Sequence, residues 1–218
     1  MKNRTIYQLI GSFCLVAFVI LGYVVKFYPK MLIPFDTTVQ DSIRQGTPNH
    51  LTSFFKLVTQ FGNFTPMMFS TLIVIALLLI GKERIAALWL AIGMIAIPLT
   101  AVKLLKLVYQ RQRPPLLHLV QENSLSFPSG HATVALVFLG TLLLIFGQIL
   151  KSNSWKILLT LFSGLIVLLI GISRIYLGVH YPTDVLAGFL LAGGWLFLTY
   201  PIFVKMRVAS VFKSIGRV

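Results

Sequence analysis

Acidic residues are scarce in this chain of 218 residues: five Asp and Glu stand against nineteen Lys and Arg, a formal net charge of +14. Magnesium and calcium are held chiefly by clustered carboxylate oxygens, so a centre built from many acids is ruled out. Charge of either sign makes up 11% of the chain, when a soluble domain carries roughly 25%. Cysteine occurs once, as Cys14 inside an apolar run, which excludes an internal disulfide and a cysteine-built metal cluster. Internal repeats and low-complexity tracts are absent. What the chain has in abundance is apolar surface, at 57% hydrophobic residues and a mean hydropathy of +0.88. So basic a soluble protein would suggest nucleic acid. Here the basic residues sit mostly at the ends of long apolar runs, so the partner is a bilayer and nucleic acid is not expected.

Six charge-free stretches are long enough, or nearly so, to cross a membrane: Ile6–Val25, Phe64–Gly81, Ile85–Val102, Ala132–Leu150, Ile157–Ser173 and Val185–Val204. A span needs about 20 apolar residues. These runs lack the strict alternation of a barrel strand, so they are predicted to be helices. The first is too long for a signal-peptide core and no small-residue cleavage site follows it, so it reads as a retained span. The expected architecture is one all-α integral membrane domain over residues 1–218, with six transmembrane helices. With the N-terminus inside, ten basic residues fall on the cytoplasmic side and nine on the other. Setting aside Lys106, Arg113 and Arg174, discussed below, leaves ten against six, which favours both termini in the cytoplasm.

The connection from Lys26 to Asn63 is patterned. Phe35, Val39 and Ile43 recur every four residues, while Leu51, Phe54, Phe55 and Val58 follow the i, i+3, i+4, i+7 rhythm of an amphipathic helix. Pro48 after Gly46 separates the two pieces. The plain reading is an interfacial helical segment resting on the membrane between spans one and two. A roof over a site would need other support.

Three segments on one predicted side carry polar residues that are costly at membrane depth. The first is Lys106-Leu-Val-Tyr-Gln-Arg-Gln-Arg113-Pro114. Seven residues are about two helical turns, so a continued helix would put Lys106 and Arg113 on one face, with Pro114 ending the element. Two basic residues reaching for the interface would look the same, and Lys103 rivals Lys106 for any role. The second is Ser126-Phe-Pro-Ser-Gly-His131, before span four. Ser129 is a good N-cap, followed by Gly130, and His131 falls in the first turn, where free N–H groups suit a phosphate. A plain helix cap is the equal alternative. The third runs from Ser173-Arg174 through His180 to Asp184. Pro182 fits the first turn of a helix, putting His180 and Asp184 about one turn apart. A carboxylate bound to one imidazole nitrogen fixes the tautomer and frees the other nitrogen to attack; a structural His–Asp pair is the alternative.

Together these residues offer three cations, two imidazoles, one carboxylate and a helix N-terminus. That set suits a tetrahedral dianion attacked by a nucleophile. A two-histidine, one-carboxylate metal site from His131, His180 and Asp184 is conceivable, but Lys106, Arg113 and Arg174 would repel a cation.

The three motifs, in type, spacing and order over residues 106–184, resemble those of the type 2 phosphatidic acid phosphatase superfamily. The six apolar runs favour its membrane-bound, bacterial phosphatidylglycerophosphatase B-like branch over the soluble haloperoxidases. The resemblance implies that His180 is the nucleophile of a phosphohistidine intermediate, oriented by Asp184. It implies that His131 is the acid that protonates the leaving group. Lys106, Arg113, Ser129, Gly130 and Arg174 would form the phosphate cradle, with no metal or other cofactor. The implied substrates are lipid phosphates: phosphatidylglycerol phosphate, phosphatidic acid or undecaprenyl pyrophosphate. The site is expected at headgroup level on the extracytoplasmic face of the cell membrane.

An anionic-lipid transporter is the rival reading, since polar residues at membrane depth would serve it too; transporters place their sites near the midplane and often carry inverted repeats. Gly188, Ala192 and Pro98 either shape lateral access or are ordinary packing and a kink. Glu122 and Tyr176 flank the motifs and are guesses for headgroup contact.

Overall fold

The computed structural model describes residues 3–215, and every regular element among them is helical. The helices are α1 (Arg4–Phe27), α2 (Ile33–Arg44), α3 (Asn49–Gln60), α4 (Phe64–Ile80), α5 (Arg84–Met94), α6 (Val102–Tyr109), α7 (Gly130–Ile149), α8 (Asn153–Tyr176) and α9 (Pro182–Ile215). Five stretches are long and apolar enough to cross a membrane: α1, the run from Arg84 to Tyr109, α7, α8 and α9 to Ser210. The expected second span is the 17-residue α4. It lies at the short end of the spanning range of roughly 17–25 residues, and α3 meets it at a 46° bend. Large apolar side chains such as Phe13, Leu161 and Ile80 stay exposed along these helices, the outward face that hydrocarbon covers.

The run from Arg84 to Tyr109 is continuous but not uniform. Between α5 and α6 the segment Ile95–Ala101 takes a wider π turn around Pro98. Proline has no N–H to donate and crowds the carbonyl one turn earlier; a wider turn accommodates both.

At the centre, α9 lies along α1 on one side and α7 on the other, and α7 also packs on α8. Close approach at the head of α9 depends on Gly188. A Cβ there would come within 2.8 Å of the Ser129 carbonyl oxygen. The glycine thus brings the first turns of α7 and α9 together, and Ala192, one turn further along α9, is fully buried. Gly188 is therefore a packing residue. At the other end of the bundle Trp89 stacks on Phe203 at 4.5 Å and donates to Thr199 Oγ1 at 2.9 Å. Glu83 accepts two bonds from Arg207 there, at 2.6 and 2.8 Å.

The segment between the first two spans does more than rest on a surface. On α2, Asp36 and Gln40 are buried. Asp36 accepts from the Thr183 N–H at 3.0 Å and from its hydroxyl at 2.9 Å, which caps the N-terminus of α9. Gln40 donates to the His180 carbonyl at 3.3 Å. Arg44 donates to the Tyr176 carbonyl at 2.9 Å and the Leu117 carbonyl at 3.0 Å. Along its polar side α2 therefore roofs the loop between α8 and α9. Tyr176 is 1% exposed with its hydroxyl 3.0 Å from Thr52 Oγ1 of α3. It is a pillar for α3, and the guess of a headgroup contact is corrected.

Candidate active site

Each of the three motifs enters from a different element. Lys106 lies in the last turn of α6, and the helix stops at Tyr109 because Gln110 adopts a left-handed φ of 51°. The expected continued helix to Arg113 is thus corrected: residues 110–129 carry no regular structure. Arg113 still returns to Lys106, because both bind Ser124. Lys106 Nζ donates to its hydroxyl at 2.8 Å, and Arg113 Nε donates to its carbonyl at 2.7 Å. Lys103, one turn earlier, is exposed on a groove wall instead.

Ser129 is the N-cap of α7, as its residue type suggested, with Oγ accepting from the Ala132 N–H. Its own N–H donates to the Asp184 carbonyl at 3.0 Å, so the cap is bolted to α9. Gly130 opens the helix beside Val102, and His131 follows it. The His131 Nε2 lies 2.7 Å from Asn63 Oδ1, at the start of α4.

His180 sits just ahead of α9 and is 1% exposed. Its Nδ1 is 3.3 Å from Asp184 Oδ2, and its Nε2 is 3.4 Å from Arg113 Nη1. With Nδ1–H donating to the carboxylate, the Nε2 lone pair faces the cations. Burial first, and then the charges of Arg174, Arg113 and Lys106, hold the His180 imidazole well below the ordinary histidine range. A neutral imidazole is the form able to attack. The same three cations and His180 lie within coulombic range of His131.

Asp184 is fully buried and densely bonded. It accepts from the Ser126 hydroxyl, from the Tyr181 N–H at 2.9 Å and from Arg111 Nη1 at 2.6 Å. Arg111 Nη2 reaches Asp36 at 2.7 Å, and its guanidinium lies 4.0 Å from the Tyr181 ring centre. Arg174, 1% exposed, donates to Thr59 Oγ1 of α3 at 2.7 Å and pairs with Glu122. Its Nε–H is among the few buried side-chain polar atoms without a partner.

All eight residues singled out from sequence therefore converge where α6, α7, α8 and α9 meet. Arg111, Asp36, Ser126, Asn63 and Thr59 were missed as participants. Asp36 had a usable signal, as one of only five acids on a helix otherwise read as superficial; Asn63 and Thr59 had none.

Beside Lys106 and His131 opens a cavity of about 500 Å³. It runs between α4 and the bent α5–α6 run and is walled by Phe64, Met67, Leu72, Met94 and Leu99, with Pro98 on its side. A polar, cationic pocket thus joins an apolar groove that opens along the membrane-facing helices.

Two histidines, an aspartate and a group of cations thus meet at one end of a helical membrane bundle, and comparison with known proteins shows which family the chain belongs to. The profile of the PAP2 superfamily matches residues 86–207. The chain belongs to this superfamily, and its likenesses lie with the membrane-bound, phosphatidylglycerophosphatase B-like members. It is 42% identical over 90 residues to phosphatidylglycerophosphatase B of Bacillus subtilis, covering 41% of this chain and 44% of that one. It is 41% identical over 71 residues to an undecaprenyl-diphosphatase of Sulfolobus acidocaldarius, covering 33% and 30%. These alignments span less than half the length of the curated relatives. The crystal structure of a transmembrane PAP2-type phosphatidylglycerolphosphate phosphatase from Bacillus subtilis superposes with a TM-score of 0.77 at 26% identity. That likeness covers 90% of this chain and 96% of the other.

Proposed function

We propose that this protein is a metal-independent membrane lipid phosphatase, a phosphoric monoester hydrolase working through a phosphohistidine as one membrane-embedded domain. The observation that carries the reading is His180, buried between a carboxylate on Nδ1 and a guanidinium facing Nε2. In the first step Nε2 attacks phosphorus as the bond to the lipid oxygen breaks, and His131 protonates that departing oxygen. Asn63 Oδ1 holds His131 Nε2 until the leaving oxygen takes its place. In the second step water, activated by His131, displaces the histidine and releases phosphate. Lys106, Arg113, the unpartnered Arg174 Nε–H, the Ser129 side chain and the free N–H groups at Gly130 carry the charge on the equatorial oxygens. The apolar groove receives the lipid tail.

Phosphatidylglycerol phosphate and phosphatidic acid are the proposed substrates. A lipid pyrophosphate such as undecaprenyl pyrophosphate is the second reading, favoured by Lys103 on the groove wall near Lys106, where an inner phosphate would lie. The excess of basic residues at the other end of the bundle supports cytoplasmic termini and an extracytoplasmic site. Purified protein should release phosphate from one of these lipids in EDTA, and His180→Ala should abolish release while the protein stays folded. Release that requires a metal, or survives in His180→Ala, refutes the reading.

A further inference from the structure

Glu122 is an acid inside the cationic cluster. Its Oε1 accepts from Arg174 Nη2 and its Oε2 from Arg113 Nη2, the latter at 3.3 Å. One carboxylate thus spans the two guanidiniums that the proposed chemistry needs for phosphate oxygens. It rides on the irregular stretch between α6 and α7, two residues from Ser124. Its side chain is 21% exposed, against 2% for Arg174 and 8% for Arg113. The arginines are fixed, by Thr59 and by the Val179 carbonyl, and the carboxylate is the most exposed member of the three.

We propose that Glu122 is a specificity-determining residue, an internal anion that yields the cradle only to a phosphoryl group with two negative charges. The proposal rests on the lipid-phosphatase reading and adds to it the rejection of phosphodiesters. A diester headgroup carries one negative charge, as Glu122 does. Exchanging one for the other leaves the arginines with the same compensation and strips water from the newcomer for no gain. A phosphomonoester, or the terminal phosphate of a pyrophosphate, carries about −1.5 to −2 at pH 7 and three strong acceptor oxygens, so it outcompetes the carboxylate. The pocket is mostly buried, which magnifies such charge differences. A tethered carboxylate is always present at high effective concentration. Without it, three bare cations would open onto a bilayer crowded with diester lipids. Rejection of the wrong ligand through an element that disfavours it is a general route to specificity.

The test compares full-length wild type with Glu122→Gln in detergent micelles. One arm reads thermal stabilisation by orthophosphate and by diethyl phosphate. The other reads inhibition of phosphate release from dioctanoyl phosphatidic acid by orthophosphate and by dioctanoyl phosphatidylglycerol. Wild type should respond to orthophosphate and ignore both diesters. Glu122→Gln should bind orthophosphate about tenfold more tightly, which is about 1.4 kcal/mol, and should gain binding and inhibition by the diesters. Glu122→Ala should repeat the change, which guards against a folding defect in one variant. Unchanged rejection of diesters, or weaker orthophosphate binding in both variants, overturns the proposal; the latter would mean that Glu122 merely holds the arginines. A wild type that releases no phosphate from any lipid, while Glu122→Gln still gains diester binding, sinks the phosphatase reading and leaves the filter standing. Lipid hydrolysis with diesters still refused by both variants does the reverse.

Discussion

Replacing Arg111 with Met removes the guanidinium that joins the roofing helix to the nucleophile's carboxylate. Arg111 is 12% exposed, and the two carboxylates it bonds, Asp36 and Asp184, are 1% and 0% exposed. Removing one partner of such a buried pair leaves an uncompensated charge, at a cost of about 3–5 kcal/mol. Asp36 keeps Thr183, and Asp184 keeps Ser126 and the Tyr181 N–H, so the lower half of that range applies better. For a chain of this size 1 kcal/mol moves Tm by roughly 2–4 °C, so the expected drop is about 6–16 °C. Detergent-solubilised protein followed by tryptophan fluorescence reports it. Turnover should fall further than stability explains, by about tenfold or more below the melt, because Asp184 is no longer fixed against His180 Nδ1. Adding Asp36→Asn should restore part of the lost Tm, since it removes one of the two stranded charges. A melting point within about 2 °C of wild type and unchanged kcat would refute the role assigned to Arg111.

Arg174→Lys keeps the charge but loses the planar fork that reaches Thr59 and Glu122. By analogy with loss of one oxyanion donor it should lower kcat by about 10²–10³; a loss under threefold removes Arg174 from the cradle. Gly62→Ala would bring a Cβ to 2.9 Å from both His131 Cδ2 and Ile170 Cγ2. Overpacking of this kind costs about 1–3 kcal/mol, and displacement of His131 should reduce turnover. Gly147→Ala, where a Cβ meets nothing within 4 Å, is the silent control, and equal activity in the two variants contradicts the contact. Because the folded His180 imidazole resists protonation, its nucleophile stays neutral well below pH 6.5. The acid limb of kcat/KM should then follow the substrate's second ionisation, near pH 6 for a phosphomonoester, and shift when that ionisation is changed. A limb fixed at 6.5 for every substrate would be wrong for this site. Stability has the same sign: the unfolded imidazole takes up a proton first, so this contribution is present above about 6.5 and declines as pH falls below it.

Apolar runs uninterrupted by charge, with basic residues at their ends, were enough to specify a helical membrane bundle, because a bilayer leaves the backbone few alternatives. The spacing of Lys106, Arg113, Ser129, His131, Arg174, His180 and Asp184 was likewise enough to nominate a phosphate pocket, since each motif is local. Pairings across the fold were not written locally. Nothing near Asp36 in the chain hints that it caps α9, because Thr183 lies 147 residues away. Beyond the end of α6 at Tyr109, the path of the chain is likewise tied by bonds to distant residues: Ser126 N–H to the Arg111 carbonyl at 2.9 Å, and Arg113 to Val179. Periodicity correctly gave α2 and α3 an apolar face but was silent on what their polar faces touch. Amphipathic spacing fixes which side of a helix avoids water, whereas the identity of a buried polar partner depends on which elements the bundle brings alongside.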